Sequence, residues 1–85
     1  MRYRADIVVT LKSGVRDPQG SAIETVLKRT GMEREPSVAV GKYFSVVVNG
    51  RDEQDAKKKL ENICQEVLSN PILEKYEIER FCKVN

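Results

Sequence analysis

Between Asp52 and Ser69, apolar residues return at the spacing of one helical face: Ala56, Leu60, Ile63, Cys64, Val67 and Leu68. Asp55, Lys58, Lys59, Glu61, Asn62, Gln65 and Glu66 fill the remaining surface. Asn49-Gly50 signals a turn just before, Asp52 suits an N-cap, and Glu53 and Asp55 sit near the positive end of the helix dipole. Pro71 disfavours helical geometry at Asn70, so the pattern predicts a helix that stops at Asn70-Pro71. Such a rod is roughly 27 Å long at about 1.5 Å per residue. Each large aliphatic side chain on its stripe stabilises by roughly 1.5–3 kcal/mol once covered, before entropy is subtracted. This helix needs a sheet to lie on.

The rest of the chain supplies strand patterns and one more helix. Tyr3, Ala5, Ile7, Val9 and Leu11 alternate with Arg4, Asp6, Thr10 and Lys12, a first strand with one covered face. Asp17-Pro18-Gln19-Gly20 opens a helix with an N-cap and a proline at the first position. Ser21 and Glu24 also read as a capping box, so the start lies at either place. Ala22, Ile23, Val26 and Leu27 form a short apolar face, and Gly31 ends the helix. Gly20 is costly inside a helix, by up to ~1 kcal/mol against Ala, and either a close backbone approach by another element or plain tolerance in a first turn would explain it.

From Ser37 to Asn49 runs the longest β-prone stretch, interrupted at Gly41-Lys42. It reads as one long bent central strand or as two short ones, because a lone Gly in a strand marks a bend, bulge or close contact. In the last strand, from Ile72 to Val84, Tyr76, Ile78, Cys82 and Val84 share a phase. Arg80 intrudes on that phase and Phe81 lies outside it, which suggests that the strand's end meets something other than its own core. The order βαβ(β)αβ implies an α+β domain related to the ferredoxin-like arrangement, with an antiparallel sheet and two helices on one face.

Composition narrows the function classes. The 85 residues suit one domain, spanning 1–85, and so small a domain gains from self-association. Fifteen basic and 13 acidic residues nearly cancel, which disfavours a phosphate-backbone binder and so a nucleic-acid partner. No apolar run reaches the ~20 residues of a membrane span, and the start of the chain reads as a strand, so a soluble cytoplasmic protein without a membrane partner is expected. Cys64 and Cys82, without any histidine, make no usual zinc site and leave no base for a nucleophilic triad. Lys57-Lys58-Lys59 is most simply a solvated helix face.

Four stretches together resemble a known family: Val9 to Val15 followed by Asp17-Pro18-Gln19-Gly20, then Val40-Gly41-Lys42-Tyr43, Leu68 to Leu73, and Tyr76-Glu77-Ile78. Each is weak alone, but the ordered set resembles the PurS family, the small subunit of phosphoribosylformylglycinamidine (FGAM) synthase. The resemblance implies an accessory role. A synthetase subunit, PurL, uses ATP and Mg to activate formylglycinamide ribonucleotide, and a glutaminase subunit, PurQ, releases ammonia. The small subunit, as a dimer or tetramer, bridges the two, binds no cofactor and carries no catalytic or metal-ligating residue. Asp17, Pro18, Gly20, Gly41, Lys42, Asn70 and Pro71 are the candidate assembly residues, although each also has a local backbone reason for its place. Lys42 is the least structural of them. The rival expectations are a small-metabolite-sensing domain and, more weakly, an RNA-binding sheet face.

Overall fold

The computed structural model describes residues 1–84. Three strands and two helices follow one another as β1 (Arg2–Leu11), α1 (Pro18–Arg29), β2 (Lys42–Asn49), α2 (Glu53–Ile63) and β3 (Glu74–Lys83). The alternation of β1 places Tyr3, Ala5, Ile7 and Val9 on one side, all but excluded from solvent. That strand is central: the sheet order is β2-β1-β3, and both pairings are antiparallel.

Asp52 caps α2 by accepting the Asp55 N–H, and Ala56, Leu60 and Cys64 seat the helix on the sheet. Ala5, Ile7, Val9, Leu60 and Cys64 form the centre of the core, with Phe44, Val46, Val48, Leu68, Tyr76, Ile78 and Phe81 packed around it. Beyond Ile63 the helix widens into a π-helical turn over Cys64–Leu68, closed by Ser69, whose N–H and hydroxyl both donate to the Cys64 carbonyl. The wider turn advances fewer degrees per residue, so Val67 leaves the apolar stripe and stands 73% exposed.

Two sequence expectations need correction. The long bent central strand is not formed. Only Lys42–Asn49 joins the sheet, as an edge strand, and residues 37–41 run outside it. The reason lies in α1, whose carboxylates take up the amides of that segment. The phase conflict in β3 resolves inside the fold: Asp6 pairs with Arg80 but Ile7 with Ile78, so Glu79 is an extra, bulged residue. The bulge reverses the alternation, brings Phe81 onto the core face and stacks it on Tyr3 at 5.4 Å between ring centroids. Phe81 therefore meets its own core.

The helices are not equivalent. α2 packs on β1 and β2, whereas α1 makes no comparable packing with any strand or with α2. Its main companion is the 37–41 segment, and together they form an arm. The molecule accordingly measures 52 × 27 × 13 Å, with a radius of gyration of 16.6 Å. A compact chain of this length would have about 12 Å.

Candidate functional site

Because β1 is antiparallel to both neighbours, its C-terminal end lies beside the starts of β2 and β3. The register sets Val9 opposite Lys42 and Leu11 opposite Glu74. The loop into α1 and the turn after α2 close on this same end of the sheet.

Asp17 organises the first part. Its Oδ1 accepts the Gly20 N–H at 2.9 Å, the N-cap bond, while Oδ2 accepts the Val40 N–H at 3.0 Å. These two backbone donors, Gly20 first, hold the Asp17 carboxyl below its ordinary pKa. Pro18 occupies the first helical position. Glu24, the other candidate capping residue, instead accepts the Val38 N–H at 2.9 Å, so α1 starts at Asp17-Pro18. Gly20 is buried because the Val38 carbonyl oxygen lies where a Cβ would stand. Gly41 is pressed against β1 in the same way, with the Val9 carbonyl oxygen 2.6 Å from the position of a Cβ.

Lys42 follows directly. Its Nζ lies 3.8 Å from Glu74 Oε2 across the end of the sheet, and its side chain stays 63% exposed. Glu74 also holds the turn after α2, where its Oε1 accepts the Asn70 N–H at 2.7 Å. Asn70 Oδ1 accepts the Ile72 N–H at 3.0 Å, which tightens the same turn. Lys12 ties that turn to β1, its Nζ donating to the Pro71 carbonyl at 2.5 Å and its N–H to the Leu73 carbonyl at 2.9 Å.

All seven sequence-predicted residues therefore meet at one end of the molecule. Asp17, Pro18, Gly41 and Lys42 line a shallow cleft of about 180 Å³ together with Thr10 and Glu74. Gly20 lies in the helix turn behind it. Asn70 and Pro71 stand on the far side of Glu74, where Pro71 borders an adjoining hollow with Lys12, Gln65 and Tyr76. Sequence reasoning missed Glu74 and the part played by Lys12. Lys12 lay within one of the recognised stretches, but nothing local ties Glu74 to Lys42.

Chemically, the carboxylates here are acceptors for backbone amides, and the one strongly exposed cation of the cleft is held only loosely. An ion pair at this distance and exposure is worth about 0–1 kcal/mol, so Lys42 can exchange Glu74 for another partner at little cost. Among the described residues no group of three His, Cys, Asp or Glu side chains is placed to hold a metal ion, and no helix is long and apolar enough to cross a membrane.

Fold and site together define a small α+β module whose three-stranded sheet ends in a shallow cleft. The model of the PurS family, phosphoribosylformylglycinamidine (FGAM) synthase, matches residues 4–81. The PurS subunit of FGAM synthase from Archaeoglobus fulgidus is 34% identical over 74 residues, covering 87% of this chain and 92% of that protein. The corresponding subunit from Methanocaldococcus jannaschii is 31% identical over 77 residues, covering 91% and 93%. Thermus thermophilus PurS superposes with a TM-score of 0.83 at 34% identity over the full length of both chains. A chain in the structure of PurLQS from Thermotoga maritima superposes with a TM-score of 0.83 at 30% identity, covering 93% of this chain and 96% of that one. The chain belongs to the PurS family.

Proposed function

We infer that this chain is the small subunit of an FGAM synthase and acts in the cytoplasm, where it joins a synthetase subunit to a glutaminase subunit so that ammonia from glutamine reaches the amidation step. The observation that carries this reading is the near full-length likeness to a chain of the Thermotoga maritima PurLQS structure. In this role the chain self-associates and binds no cofactor, while ATP and Mg are held by the synthetase subunit. The end of the sheet built by Asp17, Pro18, Gly41, Lys42, Asn70, Pro71 and Glu74 is the docking surface, with Lys42 as its movable charge. A metabolite-sensing role has less support, since the two carboxylates of the cleft, Asp17 and Glu74, are already taken up by backbone amides.

The test is amidine formation by the synthetase and glutaminase subunits with and without this chain. With glutamine as nitrogen donor, its addition restores turnover; with free ammonia, it changes little. Lys42→Glu and Glu74→Gln, which leave the fold intact, lower only the glutamine-dependent rate. A glutamine reaction indifferent to the chain would overturn the assignment. Normal coupling by Lys42→Glu would remove Lys42 from the docking surface.

A further inference from the structure

Beside the cleft that holds Lys42, across Glu74, lies a second hollow of about 310 Å³. That size is at the small end of clefts that take up small molecules. Three parts of the chain wall it: Lys12 just past the end of β1, Lys75 and Tyr76 from the start of β3, and Gln65 and Ser69 from the end of α2. The register sets Lys75 opposite Thr10, two positions before Lys12, so two lysines distant in the chain line one space. Gln65 lies in the π-helical turn and Ser69 closes it. Widened turns of this kind are frequent where helices carry functional sites.

The donors of this hollow are largely unspent. The Lys12 ammonium gives one N–H to the Pro71 carbonyl, which anchors it at the rim and leaves its other two N–H groups to offer. The Lys75 ammonium makes no ion pair among the described residues. The Tyr76 hydroxyl accepts from the Gln65 amide at 3.3 Å, so its own proton is available, as is the second N–H of that amide. The acceptors, by contrast, are in use. Glu74 takes the Asn70 N–H on one oxygen and turns the other to Lys42 in the neighbouring cleft, and the Ser69 hydroxyl is oriented by its bond to the Cys64 carbonyl.

A hollow with two ammonium groups, a phenol and an amide left to donate suits an anion. Two lysines on one hollow repel each other, and a bound anion turns that cost into attraction. A carboxylate brings one charge and two oxygens, fewer than these donors can serve. A phosphate monoester brings nearly two charges and three strong acceptor oxygens, which match them. The half-buried ring of Tyr76 offers an apolar wall to the carbon body of the ester. The coupling role makes no use of Lys75 or of the Lys12 ammonium, and the hollow shares only Pro71 and Glu74 with the docking surface.

We propose that this hollow binds a small phosphate monoester, with Lys12 and Lys75 holding the phosphate and Gln65 and Tyr76 donating to its oxygens. The experiment titrates the full chain with glycerol 3-phosphate at constant ionic strength and follows its amide signals by nuclear magnetic resonance. The expected result is a saturable shift confined to Lys12, Ser69, Lys75, Tyr76 and the Gln65 side-chain amide, absent with glycerol. Lys75→Gln, at an exposed side chain with no ion pair to lose, keeps the fold and weakens binding by at least about tenfold, the worth of a hydrogen bond to a charged group. Lys28→Gln, on the last turn of α1, leaves binding unchanged. Shifts that never saturate, or that spread over the surface lysines alike, overturn the proposal, because they report charge screening alone. Binding by Lys75→Gln equal to wild type overturns it too. So does acetate that binds as well as glycerol 3-phosphate, since the hollow then receives a carboxylate, as from an acidic protein segment. No reading involves amidation or another subunit, so this proposal and the coupling role can fail separately.

Discussion

Asp17 and Val40 are joined by a hydrogen bond of 3.0 Å from the Val40 N–H to Oδ2, while the other carboxylate oxygen caps α1 at Gly20. One side chain thus starts a helix and holds the segment that returns the chain to the sheet. Replacing Asp17 with Ala removes both acceptors and lowers the stability of the arm by about 0.5–2 kcal/mol, the usual range for a lost cap. Asp17→Asn keeps one oxygen for Gly20 but turns an amide group toward the Val40 N–H. Amide hydrogen exchange at Val40 is therefore faster in both variants, and exchange at Gly20 is faster chiefly in the alanine variant.

The same carboxylate gives a signed pH dependence. Its folded pKa is depressed, first by the Gly20 N–H and then by the Val40 N–H. Its contribution is complete above the ordinary carboxylate pKa and is lost as pH falls through the lower folded value. Protection of Val40 should hold at mildly acid pH and decline only in strong acid. In Asp17→Asn the acid-dependent step attributable to this group is absent.

Gly20→Ala tests the close approach of residues 37–41 to α1. Helix propensity alone would favour Ala by up to ~1 kcal/mol. Here the new methyl group meets the Val38 carbonyl oxygen, and backbone atoms cannot swing aside as a flexible side chain would. The sign reverses, and a loss of about 1–3 kcal/mol is expected, seen as weaker protection in α1 and residues 37–41.

Leu60→Ala tests the centre of the core. Leu60 is fully buried against Ile7, Val9 and Cys64. Its truncation costs about 2–5 kcal/mol, a large part of the ~5–15 kcal/mol that holds a domain together. Urea unfolding followed by circular dichroism should show the midpoint displaced strongly downward, and Val67→Ala, on the exposed π-helical turn, should leave it nearly unchanged.

The two free cysteines should react at very different rates. Cys82 is exposed on β3, whereas Cys64 is buried and its thiol pKa is raised, first by burial and then by Glu61. A thiol reagent under native conditions is expected to modify one cysteine quickly, and mass mapping should place it at Cys82. Rapid labelling of Cys64 would mean that the π-helical turn opens readily.

Much of this architecture is legible in local pattern. The buried trio Ala56, Leu60 and Cys64, the cap at Asp52 and the covered face of β1 all follow from spacing and backbone preference within a few residues, whereas the choice of Asp17 over Ser21 as the cap of α1 needed the contact of Glu24 with Val38. The suspicion that Gly20 marks a close approach also came from a local cost, although the approaching group, the Val38 carbonyl, did not. The seven candidate docking residues could be singled out along the chain, but their meeting at one end of the sheet rests on the antiparallel pairings of β1.

Hydrophobic periodicity records which side of an element is apolar; it does not record what covers that side. From the sequence alone came the kinds of element, their order and the residues of the central core, because those depend on near neighbours. Pairing with β1 decided that Glu79 bulges and Phe81 turns inward. The carboxylates of α1 decided that residues 37–41 stay out of the sheet. Tertiary packing decided that Glu74 joins Lys42 to Asn70 and that α1 stands off its own sheet, since each of these arises between groups far apart along the chain.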